Sequence, residues 1–309
     1  MSILFYCNFS NKKQWLNSVK KKFSTNKIFT IKDKPDFLKI EYAIVWNLPD
    51  NIMKKLKNVK IIFSLGAGVD HIINLPSYNK IPIVRVKDIN MAERMSYHVH
   101  SQILIYQLKL FLFQKAQIQK KWLGEQNTKL NKDITIGIVG LGFLGSYVGK
   151  YLSNLNYNVI GFKRKNKKKG SKIKIFTEKN LNKFLKLSDI VVSILPNTEK
   201  TKDFINKKFL NLMNKNSFLI NIGRGSTLNE KDLILHLNKN KNFHVSLDVF
   251  KIEPLPKNNK FWTHKNVIIT PHAAALTDID SSIDQMFRRL KDFKKTGKIK
   301  SDVNLIKGY

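Results

Sequence analysis

Short apolar runs alternate with polar, helix-periodic stretches along most of the chain. ILFYCN, YAIVWN, VKIIFS and IPIVRV have the length and branched composition of strands, while NKKQWLNSVKKKF and DNIMKKLKN read as short helices or turns with apolar anchors. From Ala92 to Trp122 few breakers interrupt AERMSYHVHSQILIYQLKLFLFQKAQIQKKW. This predicts one long helix, with room for a bend, whose apolar content exceeds that of a surface helix and implies a buried or subunit-facing position. A second series starts at Ile134: strands ITIGIVG, YNVIGFK, IVVSILP, FLINIG, FHVSLDVF and NVIITP, with helices FLGSYVGKYLSNL, LNKFLKLSD, NKKFLNLMNKN and NEKDLILHLNKN between them. Asn229 is placed to cap the last of these. Right-handed crossovers make such a series a doubly wound parallel sheet. ALTDIDSSIDQMFRRLKDFKKTG reads as a final helix leading back toward the first domain.

A length of 309 residues fits about two domains. The single cysteine, Cys7, follows an apolar run and reads as a buried small hydrophobe, which excludes an internal disulfide scaffold and a cysteine-rich metal site. The N-terminal apolar run has no basic leader and is too short for a signal core. QILIYQLKLFLF, interrupted by Lys109, falls well short of a membrane span. A soluble cytoplasmic protein is expected. The net charge of +34 is spread over the whole chain, with no zinc finger, helix-turn-helix signature or aromatics interleaved with a basic run, so no specific nucleic acid is expected. The charge attracts anions generally, including phosphate-bearing cofactors and carboxylate substrates.

Gly140, Gly142 and Gly145 form G-L-G-F-L-G directly after a strand and before a helix. That context is the dinucleotide fingerprint: a tight turn, close approach of the pyrophosphate, and close helix–strand packing, with the phosphates at the helix N-terminus. After the second strand, where an NAD site carries an acid, stand Gly161, Phe162, Lys163, Arg164 and Lys165. The missing acid and the basic pair Lys163 and Arg164 favour NADPH, with NADH the alternative. The candidate cofactor-binding set is Gly140, Gly142, Phe143, Leu144, Gly145, Lys163, Arg164, Leu195, Pro196, Thr198, Ile222, Gly223 and Asp248. Thr198 is placed equally well to cap the next element or to touch the ligand.

Three polar residues follow apolar runs or the turns just after them: Arg224 in FLINIGRGSTLNEKDL, Glu253 in SLDVFKIEPLP and His272 in NVIITPHAAALT. An arginine flanked by glycines reaches a carboxylate with little obstruction and polarises a neighbouring carbonyl. A histidine donates a proton to a developing alkoxide. A carboxylate beside it orients the ring and favours its protonated form. Asp248 is expected in a supporting role. His71, beside LGAGVD, is a weaker candidate, and His98, His100, His236 and His244 read as structural or exposed. No metal-ligand spacing and no G-x-S-x-G elbow is present.

Taken together these segments resemble the D-isomer-specific 2-hydroxyacid dehydrogenase family over nearly the whole chain. AIVWNLP, SLGAGVDHI, GFKR, EPLP and DVNLIKGY are similar to its glyoxylate/hydroxypyruvate reductase A subgroup. The resemblance implies a Rossmann nucleotide domain, residues 101–280, inserted into a flavodoxin-like substrate domain, residues 1–100 plus 281–309. It implies catalysis by Arg224, Glu253 and His272, and substrate contacts from Trp46, the backbone at Ala67 and Gly68, and Arg224. It further implies a small 2-oxo or 2-hydroxy acid as substrate and a homodimer formed through the long helix. One departure is Arg94 in MAERM, where an aromatic or apolar residue is usual. Another D-2-hydroxyacid dehydrogenase, acting on lactate or phosphoglycerate, is the alternative enzyme; a dinucleotide-sensing protein without turnover is the non-enzymatic one.

Overall fold

The structure, a computed structural model, describes residues 1–164 and 173–304; Lys165, the rest of the basic loop and the chain from 305 lie outside the described residues. Contacts divide the chain into two compact units. One comprises Met1–Met91 and the described residues from Thr277 onward, and the other Ala92–Leu276.

In the first unit β1 (Ser2–Tyr6), β2 (Lys27–Phe29), β3 (Tyr42–Val45), β4 (Ile61–Ser64) and β5 (Ile83–Arg85) form a parallel sheet ordered β2-β1-β3-β4-β5. That is the flavodoxin-like order. The second unit holds β6 (Thr135–Val139), β7 (Asn158–Phe162), β8 (Lys174–Phe176), β9 (Ile190–Ser193), β10 (Phe218–Asn221), β11 (His244–Leu247) and β12 (Val267–Ile269), ordered β12-β11-β10-β9-β6-β7-β8. Winding reverses between β6 and β9. An open sheet of this kind binds ligands beyond the carboxyl ends of its strands at the reversal.

The first helices are α1 (Lys12–Lys22), α2 (Asp50–Met53), α3 (Asp70–Ile73), α4 (Ile89–Gln107) and α5 (Leu110–Ile118). They are followed by α6 (Phe143–Asn154), α7 (Leu181–Leu187), α8 (Lys207–Leu212), α9 (Glu230–Lys239) and α10 (Ile279–Thr296). In the first unit α1 packs on α10, with Phe23 edge-on to Phe287 at 5.3 Å. In the second, Met95, Val99 and Ile103 of α4 join Ile136, Ile138, Val148, Ile190 and Phe218 in one core, while Phe184, Phe209, Leu219 and Phe243 anchor another. The central strands β9 and β10 are buried at every position, which is why their sequences are near-continuous apolar runs.

Three features depart from the sequence pattern. β2 and β8, both Lys-Ile-Phe, are three-residue edge strands, too short to show a period. The long helix is two helices: Lys109 adopts φ 54° between α4 and α5 without a glycine or proline to announce it. Arg94, the unusual residue of MAERM, donates from Nη1 to the Leu276 carbonyl at 3.1 Å, which gives the charge a partner. Cys7 is buried, and the Asn229 side chain caps α9 by accepting from the Asp232 N–H. No helix among the described residues is long and apolar enough to cross a membrane.

Candidate active site

Arg224, Glu253 and His272 all lie in the second unit, on the segments that leave β10, β11 and β12. Glu253 Oε2 stands 2.7 Å from His272 Nδ1, and Glu253 Oε1 accepts the Phe250 N–H at 2.9 Å. A carboxylate acceptor at Nδ1 puts a proton on that nitrogen. Nε2 is left without a hydrogen-bond partner among the described residues, so it is the nitrogen available for chemistry.

The histidine is held there against its backbone preference. His272 has φ 54°, a left-handed conformation uncommon for a side chain of this size. What holds it is Asp248, 1% exposed at the end of β11. Asp248 Oδ1 accepts from the Thr270 hydroxyl at 2.5 Å and from the Ala273 N–H at 2.8 Å; Oδ2 accepts the Ala274 N–H at 3.0 Å. The Asp248 carbonyl accepts the His272 N–H at 2.8 Å. One buried carboxylate therefore pins the turn on both sides of the histidine. Such a network is strong because every donor is satisfied in a low-dielectric interior. Thr270 had no signal in the sequence beyond its place two residues before the histidine.

Arg224 leaves the end of β10 between two glycines, and the reason for the glycines is packing. A Cβ on Gly225 would lie 1.9 Å from the Phe250 backbone, and one on Gly223 would lie 2.5 Å from the Leu195 carbonyl oxygen. The loop thus presses against two neighbouring backbones, and larger residues would push it away. Arg224 Nη1 donates to the Gly223 carbonyl at 3.0 Å, and the Arg224 carbonyl accepts from Thr227 Oγ1 at 2.7 Å. The arginine charge also acts on Glu253.

The glycine turn occupies the reversal point of the sheet. Gly140 has φ +101°, and a Cβ on Gly145 would strike the Gly140 carbonyl oxygen at 2.1 Å, so helix and strand touch backbone to backbone. A Cβ on Gly142 would meet nothing within 4 Å, which leaves the N-terminus of α6 open to a ligand. These residues fit a dinucleotide pyrophosphate. At the end of β7 the Lys163 N–H donates to the Phe176 carbonyl at 3.0 Å, and both Lys163 and Arg164 are half-buried. The Thr198 hydroxyl is engaged with Thr201 Oγ1 at 2.8 Å, and Thr201 Oγ1 donates to the Pro196 carbonyl at 2.6 Å, so this pair closes the turn after β9.

A sequence profile for the NAD binding domain of the D-isomer specific 2-hydroxyacid dehydrogenases matches residues 102–274. The chain belongs to this family. It is 31% identical to glyoxylate/hydroxypyruvate reductase A of Yersinia enterocolitica and to that of Photorhabdus laumondii, with 100% of both chains covered in each case. Among solved structures it is similar to an NADPH-dependent glyoxylate/hydroxypyruvate reductase of Sinorhizobium meliloti in complex with NADP and sulfate. That match has a TM-score of 0.93 and 27% identity, over 100% of this chain and 99% of the other. A family member of Xanthobacter autotrophicus in complex with NADPH and MES matches with a TM-score of 0.92 and 26% identity, over 100% and 99%.

Within the first unit, Trp46 follows β3, and Ala67 and Gly68 follow β4. Trp46 packs on Phe9 at 5.2 Å and on His71 at 4.2 Å between ring centroids. Of the weaker histidine candidates, His71 is therefore tied to this loop. His100 meets the Tyr151 hydroxyl at 3.3 Å, while burial holds His98 and His236 below the ordinary histidine range, in His98 against the pull of Asp248.

Burial pushes the Glu253 carboxyl up, but the His272 hydrogen bond, the Phe250 N–H and the charges of His272 and Arg224 outweigh it, and the net displacement is downward. Because the folded-state value lies below the unfolded one, the contribution to stability is complete above the ordinary glutamate range. It is lost as pH falls through the folded value. Urea denaturation of wild type and Glu253→Gln across a pH series should show a stability gap that narrows as pH falls into the acid range. A gap that widens in acid would contradict this electrostatic account.

Proposed function

We propose that this protein is an NADPH-preferring reductase of small 2-oxo acids, with glyoxylate and hydroxypyruvate as substrates. The Glu253–His272 pair carries the reading, at 2.7 Å and on the same sheet as an open glycine turn, in a chain collinear with reductases of that name. Gly140, Gly142 and Gly145, with Phe143 and Leu144, hold the pyrophosphate, and Lys163 and Arg164 neutralise the 2′-phosphate that an acid at this place would repel. Leu195, Pro196, Thr198, Ile222 and Gly223 line the remaining cofactor path; Asp248, expected among these residues, is buried with both oxygens engaged and supports the turn instead. When bound, NADPH supplies the hydride that goes to the 2-oxo carbon.

The chain's own residues do the rest. Arg224 binds the substrate carboxylate through its planar fork and polarises the adjacent ketone or aldehyde oxygen. Negative charge grows on that oxygen as the carbon is reduced. His272 delivers a proton to it from Nε2, completing the 2-hydroxy acid, and Glu253 at Nδ1 stabilises the ring while it is positively charged. Asp248 acts on the same histidine through its backbone turn. Trp46 and the backbone at Ala67 and Gly68 add substrate contacts. In this reading residues 101–280 serve as the NAD(P)-binding domain, and 1–100 with 281–309 as the substrate domain.

A homodimer is part of the proposal. Leu110, Leu112, Phe113, Ile118 and Trp122 of α5 and the chain after it are exposed, Trp122 to 98%. Several large apolar side chains exposed along one helix and its exit are suited to a subunit contact.

Turnover of a 2-oxo acid panel with NADPH and NADH tests the reading. Glyoxylate or hydroxypyruvate should oxidise NADPH more efficiently than NADH; no oxidation with any member of the panel would sink it. His272→Ala should lower kcat by about 10²–10⁴-fold, the usual worth of a general acid, while leaving NADPH binding intact. Light scattering should return the mass of two chains, and Leu112→Asp should shift it toward one; a monomeric wild type would contradict the dimer.

A further inference from the structure

His71 makes a second set of contacts that the catalytic residues do not explain. It is the second residue of α3, just after the loop that carries Ala67 and Gly68. Its Nδ1 accepts the Asn47 N–H at 3.0 Å, and its Nε2 lies 3.2 Å from Ser64 Oγ. The Ser64 hydroxyl donates to the Gly68 carbonyl at 3.0 Å. These bonds fix the tautomer twice over. An amide N–H can only donate, so Nδ1 carries no proton. The hydroxyl proton is committed to Gly68, so Ser64 Oγ accepts from Nε2–H. Both requirements describe the same tautomer.

The imidazole therefore bridges two strand ends. On one side is the chain just after β3, where Asn47 takes φ 51° directly after Trp46. On the other is the loop after β4, whose Gly68 carbonyl is set through Ser64. The same ring packs against the Trp46 indole at 4.2 Å. Below the indole lies Gly66: a Cβ there would be 2.5 Å from Trp46 Cζ3, so the glycine is required for the indole to sit where it does. Phe9 closes a further side of Trp46 at 5.2 Å.

We propose that His71 is a positioning residue for substrate binding, one that sets Trp46 and the peptide planes at Ala67 and Gly68 relative to each other. The inference rests on the reading above that these groups contact a small 2-oxo acid. His71 does not touch the reacting atoms. It fixes the groups that do the binding, so its loss weakens substrate affinity and leaves the proton-transfer step alone.

The test compares His71→Leu, which removes both hydrogen bonds, with His71→Asn, which keeps an acceptor for the Asn47 N–H. KM for glyoxylate should rise about tenfold in His71→Leu with kcat within about threefold, and a large part of that rise should be recovered in His71→Asn. NADPH affinity should be unchanged in both, which shows that the variants are folded. Amide hydrogen exchange over residues 64–71 in the protein without ligands gives a readout independent of activity. Exchange should quicken in His71→Leu and slow again in His71→Asn. A wild-type KM with wild-type exchange in His71→Leu would overturn the proposal, as would parallel loss of kcat, KM and NADPH affinity. If the wild type reduces no 2-oxo acid, the functional reading fails. The exchange result then decides alone: quickened, asparagine-rescued exchange supports the positioning role, and unchanged exchange refutes it.

Discussion

The carboxylate of Asp248 is the interaction on which the candidate site depends. It is buried at the end of β11 and satisfied by the Thr270 hydroxyl and by the Ala273 and Ala274 N–H groups, while its own carbonyl takes the His272 N–H. Without it the turn after β12 has no reason to keep His272 at φ 54°, a conformation that costs on the order of 1–3 kcal/mol when unsupported. With it, the imidazole meets Glu253 at 2.7 Å. Backbone strain at the histidine is thus balanced by a network that no ligand has to complete.

The rest of the second unit serves the same geometry from the other side. The reversal of winding between β6 and β9 gathers the Gly140–Gly145 turn and the segments after β9 and β10 at one end of the sheet. Close backbone contacts at Gly145, Gly223 and Gly225 then bring those segments nearer than any side chain would permit. In the first unit His71 plays a part comparable to that of Asp248, joining two strand ends through side-chain bonds. In each unit a polar side chain fixes a loop at a strand end through its hydrogen bonds.

Local features were legible in the sequence because their causes are local. The glycine turn needs its residues at fixed offsets, and buried parallel strands must be apolar on both faces. The family and the α/β architecture followed from these and from ordered motifs. What was hidden is what depends on pairing at a distance. An aspartate after a strand does not announce that its oxygens will close a turn 22 to 26 residues later. A histidine beside a glycine loop does not reveal that its other nitrogen reaches Asn47, 24 residues back. The edge strands β2 and β8 are too short for periodicity, and the break at Lys109 falls in an unbroken apolar run. The glycines around Arg224 give its side chain clearance, but their main cause is the close approach of the Leu195 and Phe250 backbones, which no local pattern shows.

Hydride transfer to a 2-oxo carbon at this site is measured directly by isotopic transfer from the cofactor. NADPH deuterated at both C4 positions, incubated with the protein and glyoxylate, should give glycolate with one deuterium on C2, formed about 10²–10⁴-fold more slowly in the His272→Ala control. Glycolate formed without deuterium, or no glycolate from the wild-type protein, would contradict the account.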